Sequence, residues 1–62
     1  MNIKYLRNKK GLTQEELAKA IGAAQPTVAC WETGRASPTS DKLPDIAAAL
    51  GCTIDELYGK EG

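Results

Sequence analysis

Residues 14–33 read QEELAKAIGAAQPTVACWET, and their reading decides the fold. Leu17, Ala18 and Ile21 are spaced at one and four, and Val28 and Trp31 at three, so each set lies along one face of a helix. Gly22 stands between the two sets. It can take the left-handed conformation that ends a helix, at no Cβ penalty. Thr13 precedes the first set and Glu16 follows it by three, the pattern of a capping box. Two short helices joined by a tight turn are therefore expected. Leu17, Ile21, Val28 and Trp31 would interlock behind the turn, with Ala18 small where the helices approach. Such a pair presents its second helix outward, N-terminal end exposed. That end carries a positive pole and unpaired amides, both suited to phosphate.

The same punctuation recurs on either side. IKYLRNKK runs to Gly11, TSDKLPDIAAAL to Gly51 and TIDELY to Gly59. Ile3 and Leu6, then Leu43, Ile46, Ala47 and Leu50, then Ile54 and Leu57 supply apolar stripes at helical spacing. Thr53 with Glu56 repeats the capping box, and Thr39 or Ser40 is expected to cap the fourth helix. Pro44 falls near the start of that helix, where a missing N–H is tolerated. Residues 35–38, RASP, read as a loop. No stretch shows sustained alternation, so strands are not expected. The expectation is an all-α domain of five helices over residues 1–59, with a frayed tail at 60–62.

Sixty-two residues make one small domain, with 42% hydrophobic residues for its core. A chain this short buries only about 60% of the surface its unfolded form exposes. The aromatics are Tyr5, Trp31 and Tyr58, so the core is aliphatic around one indole, and Trp31 is expected inside it. Two cysteines and no histidine are too few for a disulfide framework or a four-ligand zinc site. Cys52 reads as a small packing residue. Reduced thiols suggest the cytoplasm, and no apolar run approaches the length of a membrane helix or signal peptide. No nucleophile–base pair or phosphate-cradling glycine loop is present, so an enzyme is not expected. No cofactor, metal or small-molecule ligand is implied. Net charge is zero, but residues 1–35 carry six cations against three acids and residues 36–62 two against five. The molecule is polarised.

Three pieces, LRNKKGLTQEELAKAIG (6–22), TVACWETGR (27–35) and LPDIAAALGCTIDELY (43–58), occur in order. Together they resemble the phage-repressor-like (Cro/repressor, XRE-type) helix-turn-helix family over about residues 3–58. The resemblance implies a compact five-helix lambda-repressor-like DNA-binding domain. Its third helix, about residues 25–33, would enter the major groove of double-stranded DNA, usually from a homodimer on a roughly two-fold operator. By the same resemblance, Gln14 binds a phosphate and braces the first residue of the recognition helix, and Gln25 contacts bases. A glutamine can pair with adenine N6 and N7. Thr27 matches a hydroxyl used on phosphate or a thymine methyl. Thr33 and Arg35 flank Gly34, where relatives place backbone amides and polar or basic groups on phosphate. Lys9 and Lys10 read equally as electrostatic attraction or as a solvated helix end. Arg7 and Glu32 match an internal ion pair between the first and third helices. The usual dimer surface corresponds to about Leu50 to Tyr58, with Leu57 or Tyr58 exposed on it.

The chain departs from the family's pattern in the helix that matters most. Ala24 stands where Ser or Thr often caps, and Pro26 is expected to shift the helix start so that it becomes the first helical residue. Ala29 and Cys30 replace polar side chains at positions where specificity is written. A sequence-specific transcriptional regulator is the leading reading. It would draw on Gln25, on contact of Pro26, Ala29 or Cys30 with thymine methyls, and on DNA shape. The alternative is a protein-interaction module on a degenerate scaffold, favoured by the weakly polar helix and zero net charge. Cys30 near a positive helix end is also open to a redox reading.

Overall fold

The Thr13 hydroxyl accepts the Glu16 amide at 3.0 Å, and the Glu16 carboxylate accepts the Thr13 amide at 2.9 Å. This capping box starts α2 (Gln14–Ile21) in the computed structural model, which describes residues 1–59 of the chain. The other helices are α1 (Ile3–Lys10), α3 (Gln25–Thr33), α4 (Leu43–Leu50) and the single turn α5 (Ile54–Leu57), itself started by the Thr53–Glu56 box. No strand occurs among the described residues. The expected tail at 60–62 lies outside them. Gly22 has φ 71° and its amide reaches back to the carbonyls of Ala18 and Lys19, so an L side chain there would be strained. Glycine at 22 lets the chain reverse direction between α2 and α3 without that strain.

One core holds the helices together. Ile3, Leu17, Val28, Ile46 and Leu57 are fully buried, one from each helix. Trp31 is 8% exposed, inside the core as expected. Ala18, at 3%, faces the neighbours of α2 with a single methyl, which lets backbones approach. Cys52 packs half-buried against the same cluster, and burial and the nearby Glu56 charge push its thiol pKa up, so it behaves as a packing residue rather than a thiolate. The two ends of the domain meet where the Asn2 amide donates to the Leu57 carbonyl at 2.8 Å.

Three expectations need correction. Neither Thr39 nor Ser40 caps α4. Residues 40–42 form a turn, Lys42 is the boundary residue, and no side chain bonds to the helix start. Pro44 explains this. It has no N–H for the Ser40 carbonyl, and its ring would clash there, so the helix cannot begin four residues earlier. In α3 the helix starts at Gln25, not at Pro26; the Ala24 carbonyl takes the amides of Thr27 and Val28, at 3.0 and 3.3 Å. Finally, of the two apolar residues expected on the inner stripe of α5, Leu57 is fully buried but Ile54 is exposed.

Lys42 has a role that the sequence did not signal. Its Nζ donates to the carbonyl of Ile21, the last residue of α2, at 3.3 Å. That carbonyl is one of those a helix end leaves without a partner, and a cation there also complements the helix dipole. The bond ties the start of α4 to the turn between α2 and α3. Lys42→Met keeps most of the apolar stem and removes the donor. It should cost about 1 kcal/mol, lowering the melting temperature by roughly 4–8 °C. Thermal unfolding followed by circular dichroism checks this; an unchanged melting temperature would mean the bond contributes nothing.

Candidate nucleic-acid interface

A chain of hydrogen bonds runs from the core to the outer end of α3. Arg7 donates from Nη1 to the Leu12 carbonyl at 2.7 Å. Its Nε and Nη2 grip both oxygens of Glu32, at 2.6 and 3.1 Å, a two-pronged ion pair between α1 and α3. Glu32 Oε1 also accepts Gln14 Nε2 at 2.9 Å. Gln14 Oε1 in turn accepts Gln25 Nε2 at 2.6 Å. Each side chain in the series is held by the one before it, and the last stands exposed at the first turn of α3.

The electrostatics follow from this geometry. Burial opposes the charge on Glu32, but the hydrogen bonds from Arg7 and Gln14 and the charges of Arg7 and Lys4 outweigh it, so its pKa falls below the ordinary carboxylate value. The hydrogen bond to Glu32 raises the Arg7 pKa further, against the cost of burial. The pair is therefore ionised throughout the neutral range.

Gln14, Gln25 and the loop from α1 to α2 border an open groove, together with Asn8, Gly11 and Glu15. The Gln14 and Glu15 amides, the first two of α2, have no carbonyl within the helix to receive them. They are donors at the positive end of a helix. The start of α3 offers less than the sequence suggested. Pro26 has no N–H, and the Thr27 and Val28 amides are taken by Ala24, which leaves the amide of Gln25.

The remaining predicted residues lie along α3 and just past it. Pro26 and Thr27 are exposed, and Ala29 and Cys30 half-buried. The Thr33 hydroxyl donates to the carbonyls of Ala29 and Cys30, at 3.1 and 3.3 Å, so its hydrogen is spent within its own helix. The amides of Gly34, Arg35 and Ala36 all reach the Cys30 carbonyl. A phosphate contact at this end must therefore come from the Arg35 side chain, which is exposed. Lys10 points elsewhere: a Cβ added at Gly51 would meet its Nζ at 3.4 Å, which places the ammonium at the negative end of α4. Sequence reasoning missed Lys4, whose charge reaches Glu32. Its place one turn before Arg7 on α1 was the available signal.

Two short helices, a glycine turn and a braced outward second helix define a DNA-binding domain of the helix-turn-helix class. A helix-turn-helix family profile matches residues 3–57. An uncharacterised HTH-type transcriptional regulator of Sinorhizobium fredii is 43% identical over 56 residues, 90% of this chain and 73% of that protein. The HTH-type transcriptional activator BcrR of Enterococcus faecalis is 36% identical over 59 residues. That alignment covers 95% of this chain but 29% of BcrR, so the chain spans less than a third of that relative. The crystal structure of a transcriptional regulator from Listeria innocua matches with a TM-score of 0.83 at 30% identity, over 98% of this chain and 57% of that one. The chain belongs to the helix-turn-helix family, and these relatives are transcriptional regulators. No helix among the described residues is long and apolar enough to cross a membrane.

Proposed function

We propose that the chain regulates transcription by placing α3 in the major groove of specific double-stranded DNA sites. Gln25 contacts a base edge, with Pro26, Thr27, Ala29 and Cys30 along the groove. Gln14, the first amides of α2 and the Arg35 side chain meet the flanking phosphates. The observation that carries this reading is the bond from Gln25 to Gln14. It fixes a base-reading side chain at the outer end of α3 before any DNA arrives, and preorganisation reduces the ordering cost of binding.

Anisotropy titration against DNA selected from a random pool, repeated across salt concentrations, tests the reading. Each phosphate neutralised contributes about −0.9 to the slope of log affinity against log salt. Arg35→Ala should weaken binding to all sequences alike and flatten the slope by roughly one unit. A slope and affinity unchanged by this substitution would remove Arg35 from the interface.

Binding as a homodimer goes with this reading. Leu57 is fully buried and cannot serve a dimer surface, but Ile54 and Tyr58 are exposed, at 38% and 53%. Dimers of this class read two half-sites about one helical turn, ~34 Å, apart. A DNA with two such half-sites should bind more tightly than one with a single half-site. Equal affinities would count against the dimer.

A further inference from the structure

We propose that α3 reads its site chiefly through the C5 methyl groups of pyrimidines, those of thymine and of 5-methylcytosine alike, packed against Pro26, Ala29 and Cys30. The inference rests on the reading of α3 as the groove helix and specifies what that helix recognises.

Val28 and Trp31 mark the buried face of α3. Helical spacing puts residues 26, 29, 30 and 33 on the opposite face, with Gln25 at one edge and Thr27 at the other. Proline, alanine and cysteine make up three of those four outward positions. The fourth, Thr33, has its hydroxyl hydrogen committed to the Ala29 and Cys30 carbonyls, which leaves an acceptor oxygen and a methyl group. At the helix start Pro26 supplies no amide and the Thr27 amide goes to Ala24. Of Gln25, one Nε2 hydrogen is held by Gln14.

The major-groove edges set the demand. Guanine presents two acceptors, thymine an O4 acceptor, and adenine an acceptor beside a donor. These three call for donors, and the outward strip contains no arginine, lysine, asparagine or glutamine; cytosine presents an N4 donor, for which the strip offers the single Thr33 oxygen. The one groove feature that carbon and sulfur surfaces recognise is the pyrimidine C5 methyl. Side chains this short also let the helix sit close to the groove floor, which a methyl contact needs. A methylated cytosine carries the same group at the same ring position.

The test uses a site that the protein itself selects from a random pool. Each thymine is replaced singly by deoxyuridine, which removes the methyl and leaves base pairing intact. Affinity should fall about fourfold at each thymine beneath the strip, the equivalent of ~0.8 kcal/mol per buried methyl. In Cys30→Ser and Ala29→Ser proteins, the ratio between thymine and deoxyuridine should approach one at the position each residue covers. Where cytosine replaces such a thymine, 5-methylation should recover part of the lost binding. Specific binding that is indifferent to every deoxyuridine overturns the inference. Absence of any DNA binding at low salt is a different result: it removes the groove-helix reading itself, and this inference with it.

Discussion

Glu32→Ala is expected to remove half or more of the domain's stability. The Glu32 side chain is 3% exposed and that of Arg7 10%. Removing the carboxylate strands a guanidinium with the Leu12 carbonyl as its remaining partner. Breaking one side of such a pair costs about 3–5 kcal/mol. A domain of this size has roughly 3–9 kcal/mol in total. Urea denaturation should show the midpoint falling by half or more, or no native baseline. A loss below about 1 kcal/mol would mean that water reaches the pair and that it behaves as a surface ion pair.

The same pair makes a pH prediction. An unperturbed glutamate titrates near 4.5, and Glu32 in the folded domain titrates lower. Its contribution to stability is therefore complete above that pH and is lost as pH falls through the lower, folded-state value. Acid titration of the wild type should show this loss. The double variant Arg7→Met, Glu32→Leu, which has neither charge, should lack it. That variant should also recover most of the stability lost in Glu32→Ala, since paired charges can be replaced by apolar residues at little cost. It should still bind DNA less well, because Gln14 has lost the acceptor that holds it.

Gln25→Ala is expected to relax preference at one base pair by ~1–3 kcal/mol, while non-specific affinity and the salt slope stay in place. The side chain has two Nε2 hydrogens and one carbonyl oxygen. Gln14 takes one hydrogen. What remains is one donor and one acceptor, the pair that adenine N7 and N6 require. Gln14→Ala should produce a smaller relaxation at the same base pair, by releasing Gln25 rather than removing it. Competition binding against a panel of single-base variants measures both. A preference unchanged at every position in Gln25→Ala would show that Gln25 does not read a base.

Much of the fold was legible because its signals are local. Thr13 with Glu16 and Thr53 with Glu56 are caps formed within one turn. Gly22 ends α2 by its own backbone freedom, and the stripes of α2 to α4 follow from helical spacing. The misses were places where one local rule met another. At α4 a good cap residue lost to Pro44, whose missing N–H and ring bar a helix from beginning near Thr39. At α5 helical spacing named two inward residues, and Leu57 is buried while Ile54 is exposed.

The candidate site was legible as a set of positions and not as a mechanism. Residue types and spacing by themselves determined an all-helical domain, a helix-turn-helix at residues 14–33, and a recognition helix with few polar side chains. Tertiary structure decided that Arg7, Glu32, Gln14 and Gln25 form one continuous series and that Lys42 seals the end of α2. The physical reason is range. Caps, turns and stripes are settled within about four residues of backbone. A side-chain hydrogen bond to a group 11, 18, 21 or 25 residues away exists only once the core has brought the helices together.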